Sequence, residues 1–118
     1  MLPARVRHAI RLFADHIEDL IQIGDVACAV AHSERHLERS VKLATGQSPL
    51  KYYHQMRLKS ARQGLLYSTD SLTEIAQSVG YASSSRMVRH YPEEFGVDPA
   101  QDRRQINAFR SSGAGGLN

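Results

Sequence analysis

The stretch SERHLERSVKLATGQSPLKYY, residues 33–53, decides how this chain folds. Leu37, Val41 and Ala44 recur at helical spacing and can face a core, which leaves Arg35, Glu38, Arg39 and Lys42 on or near the opposite surface. Ser33 is a good N-cap, since its hydroxyl can satisfy a free amide in the first turn. Gly46 ends the helix, and Ser48 followed by Pro49 opens another, because proline at the first helical position gives up no hydrogen bond. The charged face suits a solvated surface as well as one that reads a partner.

Upstream, GDVACAVA reads as a short helix with Val26, Ala27 and Val30 inward, and Cys28 as a small buried apolar residue. It joins the helix after Ser33 through AHS alone. That is a helix-turn-helix length, although a plain helical hairpin has the same length. Before it, RVRHAIRLFADHIEDL, residues 5–20, places Val6, Ile10, Phe13, Ala14 and Ile17 on one side of a helix that packs on the rest or serves as a partner surface. Downstream, the helix from Pro49 to about Tyr67 carries Leu50, Tyr53, Met56, Leu58, Ala61 and Leu65, and its length of roughly 28 Å can hold two modules about one DNA turn apart.

The second module is SLTEIAQSVGYASSSRMVRHYPEEFGVDPAQDR, residues 71–103. Ser71 and Glu74 form a capping box, and Leu72, Ile75, Ala76 and Val79 make a core face. Gly80 closes that helix, and Ser83 or Ser84 starts one containing Met87, Val88 and Tyr91. Pro92 is expected to kink or shorten it. Asp98 and Pro99 repeat the cap-and-proline opening of a last helix running to about Phe109, and SSGAGGL reads as a flexible tail.

The modules match at an offset near 50 residues. Val26 and Ala27 correspond to Ile75 and Ala76, Ala31 to Gly80, Leu37 to Met87, Arg39 to Arg89, Gly46 to Gly96, and Ser48-Pro49 to Asp98-Pro99. Chance copies an apolar period more readily than a basic residue, a terminal glycine and a cap-proline pair in order, so this is an internal repeat.

The formal charge is +3 and the isoelectric point near 9.3, compatible with nucleic acid without proving it. The distribution says more. Seven basic residues between positions 34 and 62 face only Glu34 and Glu38, whereas the four arginines of residues 80–104 are offset by Glu93, Glu94, Asp98 and Asp102. Arginine can make paired hydrogen bonds to guanine and glutamate can accept from the cytosine amino group, so Arg35, Glu38 and Arg39 on one helical face suit a major groove. Ser84, Ser85, Val88 and Arg89 occupy the comparable region of the second module, where small hydroxyls and a valine can touch base edges or a thymine methyl. Ser33, His36, Lys42, Lys51, Lys59 and Ser83 are candidates for positioning on the DNA backbone.

These quoted segments resemble the C-terminal DNA-binding region of the AraC/XylS family of bacterial transcriptional regulators, over about residues 6 to 104. SERHLERSVKLATGQSPLKYYHQMRLKSARQGLL carries part of the resemblance. SLTEIAQSVGYASSSRMVRHYPEEFGVDP is more specific, with the family's helix start, IA, G-aromatic, serine-rich turn, arginine, F-G-V and proline in order. The resemblance implies an all-α fold of seven helices, two helix-turn-helix subdomains and a long central helix. It also implies that the third and sixth helices enter successive major grooves on one DNA face, with Arg35, Glu38, Arg39, Ser84, Ser85, Val88 and Arg89 at the reading positions. On this basis residues 1–5 are a lead, 6–47 the first subdomain, 48–68 the linker helix, 69–109 the second subdomain and 110–118 the tail. The chain departs from the family where Val41 and Tyr91 replace a usual phenylalanine, where Pro92 replaces a helix-compatible residue, and where Asp102 stands for a usual tyrosine.

The expected partner is double-stranded DNA, with contact to RNA polymerase as an additional activity. The chain is expected to be either the DNA-binding part of a larger regulator, which the start LPARVRH favours, or similar to the family's short single-domain members; the isolated domain is expected to be monomeric, and a longer protein could dimerise through an N-terminal domain. The competing reading is a helical protein–protein interaction module, which would need neither the basic region nor two groove-facing sets. Enzymatic activity is not expected: His32 and His36 lack a grouped third ligand for a metal, no glycine-rich phosphate loop or nucleophile elbow occurs, and no cofactor is implied. Without an exposed aromatic platform, single-stranded RNA is a poor match. A single cysteine and the lack of a signal-like or membrane-spanning apolar run point to the cytoplasm.

Overall fold

The computed structural model describes residues 2–111, and those residues form seven α-helices. They are α1 (Ala4–Asp15), α2 (Ile23–Ala29), α3 (Glu34–Thr45), α4 (Pro49–Tyr67), α5 (Leu72–Ser78), α6 (Ser84–Phe95) and α7 (Pro99–Phe109). The fold is all-α, with two helix-turn-helix pairs, α2–α3 and α5–α6, joined by the long α4. Residues 112–118, most of the expected tail, lie outside the described residues.

The chain divides into two compact units, residues 1–57 and 58–118, and the boundary falls inside α4. In the first, α1, α2 and α3 pack on one another around Val6, Ala9, Phe13, Val26, Ala27, Val30, Leu37 and Val41. Tyr53 of α4 completes this core, its ring stacked on Phe13 at 4.6 Å. Its hydroxyl donates to the His16 carbonyl and accepts from the Ile21 amide, which ties down the loop after α1. In the second unit, Leu58, Ala61 and Leu65 of α4 are buried together with Ile75, Ala76, Val79, Met87 and Tyr91.

Helix α1 is shorter than its apolar pattern suggests: it stops at Asp15, and Ala14 is exposed while Ala9 takes the core position. The core stripe is therefore Val6, Ala9 and Phe13, at i, i+3 and i+7. Cys28 is exposed, not buried, because the inward face of the short α2 is already filled by Val26 and Ala27. Leu50 likewise points outward, 67% exposed, on a turn where Tyr53 supplies the buried contact.

Pro92 does not shorten α6, which runs on to Phe95 and matches α3 at 12 residues. Its ring removes one amide donor near the end of the helix, and the Gly96 amide still closes on the Pro92 carbonyl at 2.8 Å. Asp102 is not a free compensating charge either. It is buried, accepting from Tyr91 Oη at 2.6 Å and Arg62 Nε at 2.9 Å. Burial opposes its ionisation, but the hydrogen bonds from Arg62 and Tyr91 and the charge of Arg62 outweigh that and hold its carboxyl below the ordinary value. Arg103 donates to the carbonyls of Leu65, Ser68 and Asp70 and so covers the C-terminal end of α4.

The repeat is written into the backbone. The His32 amide bonds the Ala27 carbonyl and the Tyr81 amide bonds the Ala76 carbonyl, both at 2.9 Å. Between them the chain reverses through a left-handed residue, Ala31 at φ 59° and Gly80 at φ 89°. A side chain in that region costs about 1–2 kcal/mol, so the first turn carries strain that the second avoids. Ala31→Gly is expected to stabilise the chain by about 0.5–1 kcal/mol after the added backbone entropy of glycine. Urea unfolding checks this, and a loss of stability would show that the turn is unstrained.

Candidate nucleic-acid interface

On α3, Ser33 Oγ accepts from the His36 amide at 3.1 Å, so the helix starts where the sequence places it. Leu37 and Val41 are fully buried and fix the helix by its inner face. Arg35, His36, Glu38, Arg39 and Lys42 are all exposed on the other side. The Glu34 carboxylate lies beside Gly24 of α2 and is thus drawn away from the Arg35 face. Among the described residues, Arg35, Glu38, Arg39 and Lys42 make no side-chain hydrogen bond or ion pair within the protein, so their donors and acceptors remain for a partner. Residues three and four apart share a helix face, which gathers Arg35, Glu38 and Arg39 into one group.

On α6 the same construction recurs with other chemistry. Met87 and Tyr91 are fully buried, and Ser85, Val88 and Arg89 are exposed, while Ser84 is only half exposed. Ser83 occupies the N-cap position without a capping hydrogen bond; its hydroxyl lies 2.9 Å from that of Ser85. Buried Tyr91 and Asp102, joined by the exposed Arg62, link α6 to α7 and α4 within the second unit, so the group sets how α6 is held. Lys51 and Lys59 are exposed on α4.

Sequence reasoning missed two exposed basic residues. Arg86 stands where the repeat offset places the counterpart of His36, a correspondence that would have identified it. Arg5 reaches His32 across 27 positions of chain, for which no local pattern gives a signal. Among the described residues there is no group of three or more His, Cys, Asp or Glu side chains able to hold a metal ion. No helix of the described residues is long and apolar enough to cross a membrane.

This arrangement has close counterparts. The helix-turn-helix domain family matches residues 26–105. The transcriptional activator RhaS of Escherichia fergusonii is 37% identical over 105 residues, covering 89% of this chain and 38% of RhaS, so the chain spans little more than a third of that relative. The crystal structure of a transcriptional regulator with an AraC-type DNA-binding domain from Chromobacterium violaceum superposes with a TM-score of 0.82 at 32% identity, covering 86% of this chain and 91% of that one. The C-terminal domain of AraT, a response regulator from Geobacillus stearothermophilus, gives 0.81 at 29% identity, with 88% and 87% covered. With its two helix-turn-helix pairs, its exposed arginine-bearing α3 and these matches along most of its length, the chain belongs to the AraC/XylS family of transcriptional regulators and carries that family's sequence-specific double-stranded-DNA-binding region.

Proposed function

We propose that α3 and α6 enter successive major grooves and that Arg35, Glu38 and Arg39 in the first unit, and Ser84, Ser85, Val88 and Arg89 in the second, read base edges. The observation that carries this is the group of three exposed, unpartnered charged side chains on the face of α3 opposite buried Leu37 and Val41. Glutamate between two arginines suits a reading surface, because each can find a base-edge partner of opposite hydrogen-bonding sense. Lys42, Lys51, Lys59 and His36 position the protein on phosphates. Ser33 joins them, since its capped hydroxyl still has a proton to donate, and Ser83 does so in the second unit. The domain division follows the repeat: a lead at 1–5, subdomains at 6–47 and 69–109, a linker helix at 48–68, and a tail at 110–118.

The charge difference between the units gives them unequal roles. The first unit and α4 supply most of the sequence-independent affinity, and the second supplies footprint length and lesser discrimination. The biological role is transcription regulation in the bacterial cytoplasm, within a longer protein that dimerises through another domain. Contact with RNA polymerase is an added activity.

Replacing Lys42, Lys51 or Lys59 by alanine tests the division of labour. Each change is expected to lower affinity for the preferred site and for a scrambled duplex by the same factor, and to reduce the slope of log affinity against log salt by about one. Titrations of both duplexes over a range of salt read this. A loss confined to the preferred site would move that lysine into the base-reading group.

A further inference from the structure

Beside the reading face, the first unit gathers three nitrogen-bearing side chains from distant parts of the chain. Arg5 Nη1 in the first turn of α1 lies 3.2 Å from His32 Nδ1. The His32 ring in turn stacks on His36 of α3, with centroids 3.8 Å apart and planes 27° from parallel. A guanidinium has donors only, so Arg5 donates and His32 Nδ1 accepts. His32 is therefore neutral in the free protein, with its proton on Nε2.

The surroundings agree with the geometry. Desolvation first, then the charges of His36 and Arg5, hold the His32 imidazole below its ordinary value of 6.5, with an opposing pull from the Ala31 backbone. Arg5 comes from α1 and His36 from α3, while α2 contributes the Ala27 carbonyl, which accepts from the His32 amide. Among the described residues no carboxylate bears on the His32 ring. Three such groups held close without a counter-charge favour an anion, and the exposed His36 places the cluster one helical position from Arg35.

We propose that Arg5, His32 and His36 form a site for one phosphodiester of duplex DNA, and that His32 takes up a proton from solvent when the phosphate binds, so that affinity rises as pH falls. Protonation turns Nδ1 from acceptor to donor and breaks its bond with Arg5. The phosphate then accepts from both, replacing the acceptor that Arg5 loses. The proposal rests on the DNA-binding reading and adds Arg5 and His32 to it.

The test is the affinity of the full chain for a mixed-sequence duplex at fixed salt between about pH 8 and pH 6, the range in which a histidine changes charge. Wild type should bind roughly three- to tenfold more tightly at the lower pH, which corresponds to uptake of roughly a quarter to a half of a proton averaged over that range. H32Q should flatten that dependence. R5Q should weaken binding throughout and lower the salt slope by about one. Nuclear magnetic resonance of the His32 ring in the wild-type chain gives an independent reading, in which its titration should move to higher pH when the duplex is added. A pH dependence that persists in a folded H32Q, an unchanged salt slope in R5Q, or an unmoved His32 titration each overturns the site while leaving DNA binding intact. Absence of duplex binding by wild type at every pH would overturn the DNA-binding reading as well.

Discussion

Arg39→Ala is expected to weaken binding to the preferred site by roughly 10- to 100-fold while lowering affinity for a scrambled duplex only by what one lost charge costs. A bidentate arginine–guanine contact discriminates by about 1–3 kcal/mol, whereas a phosphate contact carries no sequence information. Arg39 stands exposed and unpartnered on α3, so removing it leaves the folded protein as it was. Arg35→Ala should behave alike. Arg89→Ala should also relax discrimination, at the other half of the site, but with a smaller total loss, because its neighbours on α6 are Ser85 and Val88 rather than Glu38 and Lys42. Titrating each variant on duplexes altered separately in each half separates the two effects. Equal losses on matched and scrambled duplexes would place Arg35 and Arg39 among the positioning residues, and a larger loss for Arg89→Ala would reverse the ranking of the units.

The second large effect is on stability. Tyr91 is fully buried, and Tyr91→Ala should cost about 3–5 kcal/mol, enough to unfold much of the second unit. Tyr91→Phe keeps the ring and loses the hydrogen bond to an ionised carboxylate, so its cost should be about 1.5–3 kcal/mol. Burial, then the hydrogen bond and charge of Asp102, push the Tyr91 phenol above its ordinary value, so it stays a donor across the neutral range. Asp102 has a folded value below its ordinary 3.8, so its stabilising contribution is fully present above that pH and is lost as pH falls through the depressed value. Urea unfolding of both Tyr91 variants and of Asp102→Asn, followed down to acid pH, reads all of this. If Tyr91→Phe is as costly as Tyr91→Ala, the hydrogen bond and not the buried ring holds α6; if Asp102→Asn keeps the acid loss, another carboxylate is responsible.

The elements that could be read from sequence are those whose signals are local. Ser33, Ser71, Asp98 and the glycines at 46 and 96 mark helix ends by short-range chemistry, and each stands at a helix end in the fold. The inner faces of α3 and α6 followed from the same period, whereas the left-handed backbone at Ala31 is a finding of the fold: the repeat only aligned that residue with Gly80. What escaped notice depends on contacts between distant positions. Asp102 looked like a charge subtracted from a basic region, and only its meeting with Tyr91 and Arg62, 40 residues away, shows it as a buried strut. Arg5 and His32 met in the same way. Pro92 was expected to kink or shorten α6 because propensity ignores position: near the last turn the missing amide matters little, and the glycine cap still forms. Of the side chains proposed to touch bases, all but the half-exposed Ser84 were legible as an exposed face from the helical period, but the contacts that each makes depend on the bound duplex.

The central claim is that both units read one continuous stretch of duplex DNA. Its most direct test is footprinting of the full chain on duplexes selected from a randomised pool. Protection of a single site of roughly 16 to 20 base pairs, spanning two successive major grooves on one face, is the expected result. Sequence-independent retention without a protected site, or protection confined to one groove, would contradict it.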